Sequence, residues 1–299
     1  MDEMINGRKF NIKDSQNFLH NKKLVEELIN KSKINKNDLI LEIGAGKGIL
    51  TTSLIKVCKK VVAIEFDSVL ANKLKDEFKN SNVEVVEMDF LNYNLPNENY
   101  KVFSNIPFNI TASIINKLLD SKSPPTQTFL IMQYEAFLKY AGAPFYKDSF
   151  KSLQYKPFFN TNIVHTFSKF DFKPAPNAKI VLAHFLFKEI SDIKFEYRDV
   201  WRDFLSFIFL ENGSTFQEKT RKIFSYKQQK IISNESGITD NLSISNWTYE
   251  FWLKIFQLYN SNMVSDDKKS LVSNSYKRML KHEAGLEKLH RNRKVTRNN

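Results

Sequence analysis

The sequence predicts an α/β fold, in which a doubly wound sheet is followed by a smaller helical domain. Through the first two thirds of the chain, short β-branched or aromatic runs alternate with helix-like stretches, as in βαβ units. A glycine-rich turn, Gly44-Ala45-Gly46-Lys47-Gly48, follows the first strand-like run of this alternation, and such turns join strand to helix in doubly wound sheets. After Lys188 the alternation stops and helix-like segments remain. We therefore expect a domain boundary near residue 189.

The elements follow in chain order. Runs of β-branched and aromatic residues predict strands at 39–43, 61–65, 83–86, 101–104, 128–132, 163–167 and 180–187. Apolar periodicity predicts helices at 23–31, 49–57, 68–78 and 112–119, and beyond the boundary at 200–210, 220–230 and 247–259. The resulting regions are a sheet domain (1–188), a helical domain (189–265) and a basic tail (266–299). The tail lacks the apolar density to fold alone.

Composition narrows the class of protein. The 299 residues are 42% hydrophobic and 13% aromatic, which is enough to build a globular core. The sequence has no apolar run long enough to cross a bilayer and no secretory signal, so we expect a cytoplasmic protein without a membrane partner. A single cysteine, Cys58, rules out an intrachain disulfide, and the five scattered histidines show no metal-ligand spacing. No metal site is predicted.

Charge is distributed unevenly. The net charge is +12, yet residues 1–120 carry 17 Lys/Arg against 16 Asp/Glu, whereas residues 268–299 carry 10 against 2. A tail of this kind either binds the phosphates of RNA or is a solvated, disordered end. Tryptophans and phenylalanines recur at near-helical spacing in the helical domain, which indicates core packing rather than base stacking: Trp201, Phe204, Phe207, Trp247 and Trp252.

Three features at the ends of successive strands indicate a nucleoside ligand. The turn Gly44–Gly48 lets backbone approach a ligand closely and is compatible with a dinucleotide, with S-adenosylmethionine or with a plain tight turn. Glu65 ends the second strand, where a carboxylate can accept both ribose hydroxyls. Asp89 follows the third strand and can accept a hydrogen bond from an adenine amine. Either carboxylate could instead cap a helix. Together the three features favour a nucleoside cofactor.

Asn105-Ile106-Pro107-Phe108, at the end of the fourth strand, is suited to hold a flipped-out adenine by its exocyclic amine. The Asn105 side-chain oxygen and the Ile106 carbonyl can accept the two amine hydrogens, Pro107 stiffens the backbone, and Phe108 can stack on the base. The alternative is a turn with a buried aromatic, since Asn and Pro both form turns. The position of the tetrapeptide behind three cofactor features favours the adenine interpretation.

Five motifs in order resemble the Erm family of ribosomal RNA adenine N6-methyltransferases and the related KsgA-type dimethyltransferases. The motifs lie between about residues 10 and 188: Gln16-Asn17-Phe18-Leu19, Glu42-Ile43-Gly44-Ala45-Gly46-Lys47-Gly48, Glu65 with Asp89, Asn105-Ile106-Pro107-Phe108, and Phe172-Lys173-Pro174-Ala175-Pro176. Lys47 and Ile106 are more similar to Erm than to KsgA. The resemblance implies a Rossmann-like, S-adenosylmethionine-dependent catalytic domain at 1–188 and an RNA-binding helical domain at 189–265.

The same resemblance implies roles for individual residues. Asn17 and Leu19, with Gln16 beside them, would close over the cofactor. Gly44 and Gly46 would line its methionine end, Glu65 would hold the ribose, and Asp89 would bind the adenine. Asn105 would face both cofactor and substrate. The catalytic residues would be Asn105, Ile106, Pro107 and Phe108.

The implied substrate is 23S ribosomal RNA, methylated before the large subunit is fully assembled by a monomeric enzyme that confers macrolide, lincosamide and streptogramin B resistance. Three alternatives stay open: a small-subunit dimethyltransferase, a noncatalytic RNA-binding relative and a DNA adenine methyltransferase. The last usually carries Asp-Pro-Pro-Tyr where this chain has Asn105 to Phe108. Asn177-Ala178-Lys179 departs from the Erm pattern, so the RNA-facing loop there is expected to differ.

Overall fold

The chain forms two compact units in a computed structural model, which describes residues 3–5, 8–10 and 18–295. The first unit comprises Met1–Tyr146 and Phe159–Glu189, and the second comprises Lys147–Phe158 and Ile190–Asn299. The sequence placed residues 147–158 in the sheet domain, whereas the structure groups them with the helical unit. The reason is local packing, because the Trp201 indole N–H donates to the Leu153 carbonyl at 2.9 Å.

In the part of the chain that the structure describes, the strands of the first unit form three sheets. In chain order they are β1 (Glu3–Ile5), β2 (Arg8–Phe10), β3 (Phe18–Leu19), β4 (Leu39–Ile43), β5 (Lys60–Glu65), β6 (Val83–Glu87), β7 (Lys101–Asn105), β8 (Gln127–Gln133), β9 (Phe159–Thr166), β10 (Phe172–Lys173) and β11 (Ile180–Phe187). The main sheet has the order β6-β5-β4-β7-β8-β11-β9, while β1 pairs with β2 and β3 pairs with β10. The five strands β4 to β8 are parallel to one another, and β11 is antiparallel to both β8 and β9.

The helices divide between the units. The first unit holds α1 (Lys22–Lys31), α2 (Ile49–Leu54), α3 (Ser68–Glu77), α4 (Thr111–Leu119) and α5 (Tyr134–Ala141). The second holds α6 (Phe150–Tyr155), α7 (Arg198–Leu210), α8 (Phe216–Thr220), α9 (Tyr226–Ser236), α10 (Tyr249–Asn260), α11 (Asp266–Val272) and α12 (Ser275–Val295). Among the residues described, no helix combines the length and apolarity needed to cross a bilayer.

The order of the sheet places a ligand site beside β4. Strand β4 lies between β5 and β7. The chain adds β5 and β6 on one side of β4, and then crosses back to add β7 and β8 on the other side. A crevice opens at the carboxyl ends of parallel strands where the strand order reverses in this way. Strand β4 is apolar apart from Glu42 and almost wholly buried, as expected for a central parallel strand. The α/β fold class is confirmed, with a mixed rather than purely parallel sheet.

Several helix boundaries differ from the sequence expectation because side-chain caps override apolar periodicity. The single helix predicted at 220–230 is wrong. Thr215 and Ser225 each cap a separate helix, α8 and α9, through reciprocal hydrogen bonds with Glu218 and Gln228. Helix α2 ends at Leu54 rather than at residue 57. Helices α5 and α6 were not predicted.

The second unit has its own aromatic core. The five aromatic residues predicted to pack rather than to stack on bases are all buried, which confirms that prediction: Trp201, Phe204, Phe207, Trp247 and Trp252. The sequence predicts that residues beyond 265 cannot fold alone, and the structure shows where part of this segment packs. Helix α11 and the first turns of α12 pack on this core, with Val272, Ser275 and Met279 buried.

Candidate active site

An open cleft lies at the carboxyl ends of β4 and β7, entirely within the first unit. Its walls are the glycine-rich turn after β4, the segment Asn105 to Phe108 after β7, and Phe18 and Leu19 of β3. Five of the predicted site features therefore line one cavity: Leu19, Gly44, Gly46, Asn105 and the tripeptide Ile106-Pro107-Phe108.

The glycine-rich turn requires glycine for two reasons. Gly44 and Gly46 have φ angles of 68° and 59°, in the left-handed region that other residues rarely adopt. A Cβ on Gly46 would also lie 3.1 Å from the Phe18 ring. Gly44 faces Pro107. A Cβ added to Gly44 would lie 3.7 Å from Cδ and 3.8 Å from Cγ of the Pro107 ring. The turn is thus open enough to cradle a ligand and lies against the Asn105 to Phe108 segment.

Glu42 is a buried carboxyl in the wall of the cleft, and sequence reasoning did not single it out. Its side chain is 1% exposed, and the Thr51 hydroxyl donates to Oε2 at 2.7 Å. Burial raises the pKa of Glu42 to about 8, and the nearby Glu65 charge pushes the pKa in the same direction. The carboxyl is therefore largely protonated at neutral pH. The signal available in the sequence was an acidic residue within an otherwise apolar strand.

Glu65 supports the glycine-rich turn from the neighbouring strand. It is 3% exposed, and its two oxygens accept hydrogen bonds from the backbone N–H groups of Gly46 at 2.7 Å and Asp67 at 2.9 Å. Each carboxylate oxygen can accept a second hydrogen bond. Glu65 does not itself line the cleft, so its assignment to a ribose stays a prediction.

Asp89 lies at the same edge of the sheet as Glu65. The Met88 backbone N–H donates to the Glu65 carbonyl at 3.0 Å, so the segment that follows β6 lies next to the end of β5. Asp89 caps the short 3₁₀ helix Phe90–Asn92 by accepting from the Leu91 N–H at 2.8 Å. The capping role left open by the sequence is therefore present, and half-buried Asp89 does not line the cleft. Its predicted contact with adenine stays a prediction.

Two exposed apolar side chains flank these carboxylates and were missed by the sequence reasoning. Phe66 follows Glu65 and is 47% exposed, and Met88 precedes Asp89 and is 41% exposed. Large apolar side chains exposed at the carboxyl edge of a parallel sheet are suited to contact the faces of a flat ring. Their adjacency to the two carboxylates was the signal that could have identified them.

Ser104 fixes the start of the Asn105 to Phe108 segment. Its buried hydroxyl donates to the Ile43 carbonyl and accepts from the Ile43 N–H at 3.2 Å, which ties β7 to the last residue of β4. Sequence reasoning did not identify this residue. The hydrogen bonds hold the end of β7 next to the start of the glycine-rich turn.

The four residues after Ser104 differ in exposure. Ile106 is buried and donates its N–H to the Ile131 carbonyl at 3.4 Å, while Asn105, Pro107 and Phe108 are partly exposed in the cleft. The Thr111 hydroxyl donates to the Phe108 carbonyl at 3.1 Å and so fixes the turn into α4. The backbone of the tetrapeptide is held on both sides.

The first and fifth motifs meet in a two-stranded sheet. Leu19 pairs with Phe172 and Phe18 pairs with Lys173, so β10 positions β3 over the glycine-rich turn. The Lys47 ammonium lies 5.1 Å from the centre of the Phe18 ring. Gln16 and Asn17 lie outside the described residues, and their roles in closing the site stay predictions.

Comparison with known proteins identifies the family. The model of the ribosomal RNA adenine dimethylase family matches residues 7–261. An rRNA adenine N-6-methyltransferase of Bacillus anthracis is 30% identical over 256 residues, covering 84% of this chain and 89% of that protein. A probable ribosomal RNA small subunit methyltransferase A of Methanococcus aeolicus is 36% identical over 250 residues, covering 81% and 88%.

The structural comparison agrees on the fold. The crystal structure of the 23S rRNA methyltransferase ErmE superimposes with a TM-score of 0.72 at 22% identity, covering 82% of this chain and all of that one. Taken with the family match and the two relatives, the resemblance that the five motifs indicated is confirmed, and this chain belongs to the ribosomal RNA adenine dimethylase family of methyltransferases.

Proposed function

We propose that this protein transfers methyl from S-adenosylmethionine to N6 of an adenine in 23S ribosomal RNA, near the peptidyl transferase region, and so confers macrolide, lincosamide and streptogramin B resistance. The observation that carries the proposal is the close approach of the glycine-rich turn to the Asn105 to Phe108 segment, both of which line one cleft. A donor held by the turn and an acceptor held by the tetrapeptide would meet there. Lys47 and Ile106, which resemble Erm, favour the 23S substrate.

The residues present fit the cofactor. The turn around Gly44 and Gly46 leaves space that a Cβ would fill, so backbone can approach the methionine end. Phe66 and Met88 offer apolar surface for the adenine, with Glu65 for the ribose and Asp89 for the adenine amine. Bound S-adenosylmethionine supplies a methyl group on a positively charged sulfur.

The exocyclic amine of adenine is a weak nucleophile, and the residues of the cleft would make it more reactive. The lone pair of an adenine amine is delocalised into the ring, so the nitrogen must be drawn toward tetrahedral geometry before it attacks. The Asn105 side-chain oxygen and the Ile106 carbonyl would accept the two amine hydrogens and aim the lone pair at the methyl carbon. Phe108 would stack on the flipped base, a contact worth about 1–3 kcal/mol. Once methylated, the nitrogen loses its proton to water, and no strong general base is needed.

The second candidate is dimethylation of small-subunit ribosomal RNA. It is favoured by the Methanococcus aeolicus relative, whose name assigns it to the small subunit and which is more identical to this chain than the Bacillus relative over a similar length. Both candidates use the same cleft and the same chemistry. Methylation of purified large- and small-subunit RNA, followed by mapping of the modified adenine, separates them.

The deciding experiment expresses the wild type and Asn105→Ala in a macrolide-susceptible bacterium. We expect resistance and N6-methylated 23S RNA only with the wild type, because the variant lacks the amine acceptor. Asn109→Ala is the matched control, since Asn109 is exposed and lies just beyond the tetrapeptide. Calorimetry should show that Asn105→Ala still binds S-adenosylmethionine, with reduced affinity. Full turnover by Asn105→Ala would refute the assigned role, and methylated 16S RNA would favour the second candidate.

A further inference from the structure

Half of the net charge lies beyond the part of the chain that matches the family. Residues 262–299 carry 10 Lys/Arg against 4 Asp/Glu, a balance of +6 out of the total of +12. The family model ends at residue 261. The segment therefore lies beyond the matched part of the chain, and its charge calls for a separate explanation.

The start of this segment is firmly anchored. The Asp203 carboxylate of α7 accepts hydrogen bonds from the backbone N–H groups of Asn274 at 2.7 Å and Tyr276 at 2.9 Å, at the first turn of α12. The Tyr276 ring stacks on Phe150, with centroids 6.0 Å apart, and Met279 is only 8% exposed. These contacts fix the direction of α12 relative to the other helices of the helical unit.

Beyond the anchor, the side chains of α12 that the structure describes lie in solvent. Every residue from 280 to 285 is exposed. The helix runs for 21 residues, Ser275–Val295, which corresponds to a length of about 31 Å. The segment 280–285, whose one large apolar side chain is the exposed Leu280, gains little from packing against its own protein. Its stabilisation is expected to come from another charged surface.

Four of the seven Lys and Arg residues of α12 lie on one face, and Arg278, Arg293 and Lys294 lie outside it. At about 100° per residue, four positions fall within an arc of about 80°: Lys277, Lys281, Lys288 and Arg291. These four helix positions are called the basic stripe. The centre of the arc is opposite the buried positions 275 and 279, so the exposed Lys277 and Lys281 lie on the side of α12 away from the rest of the helical unit. The acidic positions 283 and 287 lie outside the arc.

We propose that this basic stripe of α12 binds the phosphate backbone of structured RNA and adds a contact outside the family's shared domains. The proposal rests on the ribosomal RNA substrate proposed above. Within the described part of the chain, Lys277 and Lys281 are exposed and take part in no ion pair, so their charge is available. A row of cations on a rigid rod matches the regularly spaced phosphates of an RNA helix, which proteins recognise by shape and charge.

The test compares two full-length variants with equal loss of charge. The stripe variant carries Lys277→Gln, Lys281→Gln and Lys288→Gln. The control carries Lys59→Gln, Lys73→Gln and Lys79→Gln, three exposed lysines of the first unit. Binding of a ribosomal RNA fragment is measured from 50 to 300 mM salt, together with thermal unfolding, S-adenosylmethionine affinity and binding to vesicles that contain anionic lipid.

We expect the slope of log affinity against log salt to fall by about 2–3 in the stripe variant, with at least about tenfold weaker RNA binding at low salt, because three phosphate contacts are lost. The control should keep the wild-type slope. Equal changes in both variants, or no change in either, would overturn the proposal. So would loss of vesicle binding without loss of RNA binding, which would assign the stripe to a membrane surface. Methyl transfer to a short RNA hairpin is measured in parallel, so failure of the proposed activity is seen separately from failure of the stripe.

Discussion

Glu42→Gln should make the folded protein more stable at neutral and alkaline pH. The Glu42 carboxyl is 1% exposed, and burial raises its pKa from 4.5 to about 8. Between these two values the folded chain holds a proton that the unfolded chain has released. The unfolded state therefore binds fewer protons, and the free energy of unfolding falls as the pH rises. Glutamine has the same shape, keeps an acceptor for the Thr51 hydroxyl and does not ionise.

The magnitude follows from the difference in pKa. Each pH unit between about 4.5 and 8 costs the wild type about 1.4 kcal/mol relative to a side chain that does not titrate. The gain from the Glu42→Gln substitution should therefore be small at pH 4.5, reach about 3 kcal/mol at pH 7 and level off near 5 kcal/mol above pH 8.

Denaturant unfolding of both proteins from pH 4.5 to 9 measures this difference directly. The control is Glu84→Gln, an exposed carboxylate paired with Lys60, which should change the free energy of unfolding by less than about 1 kcal/mol at every pH. Wild-type and Glu42→Gln curves that run parallel across the whole pH range would show that Glu42 ionises normally, and the reasoning from burial would be refuted.

Substitutions at four further positions test the cleft and the neighbouring carboxylate edge of the sheet. Phe108→Ala should reduce methyl transfer at least about tenfold and more than Phe108→Tyr, because only alanine removes the stacking face; equal loss in steady-state assays would argue against stacking. Gly46→Ala should lower the free energy of unfolding by about 1–2 kcal/mol and weaken cofactor binding in calorimetry, since φ is 59° and the added Cβ would lie 3.1 Å from Phe18; unchanged affinity would separate the turn from the cofactor. Phe66→Ala and Met88→Ala should each weaken S-adenosylmethionine binding several-fold with little effect on stability, because both side chains are exposed; wild-type affinity in both would place the adenine elsewhere.

The short-range patterns of the chain were sufficient for the central sheet. Strand β4 occurs where predicted, at Leu39–Ile43, and β11 at Ile180–Phe187, because continuous apolar runs of this length are compatible with a buried strand. The positions of the turn Gly44–Gly48 and of the Asn105 to Phe108 segment were also predicted from the sequence, because each follows directly from the end of a strand that was predicted correctly. Helix ends were predicted less well, because Thr215 and Ser225 terminate and restart helices through side-chain hydrogen bonds.

Contacts between distant segments could not be predicted in this way. The pairing of β3 with β10, which brings Phe18 over Gly46, joins residues far apart in the chain. The grouping of residues 147–158 with the helical unit depends on a hydrogen bond from Trp201 to Leu153. The anchoring of α12 depends on Asp203 of α7. Local propensity contains no information about such partners.

By itself, the sequence determined the α/β fold, the order of its central elements and the family, because motifs at the ends of successive parallel strands must converge on one edge of the sheet. Only the tertiary structure decided that Glu42 is buried with a raised pKa, that Phe66 and Met88 stay exposed beside the carboxylates, and that Lys277 and Lys281 stay exposed on α12. Burial and exposure depend on which distant segments pack together, and that is settled when the chain folds as a whole.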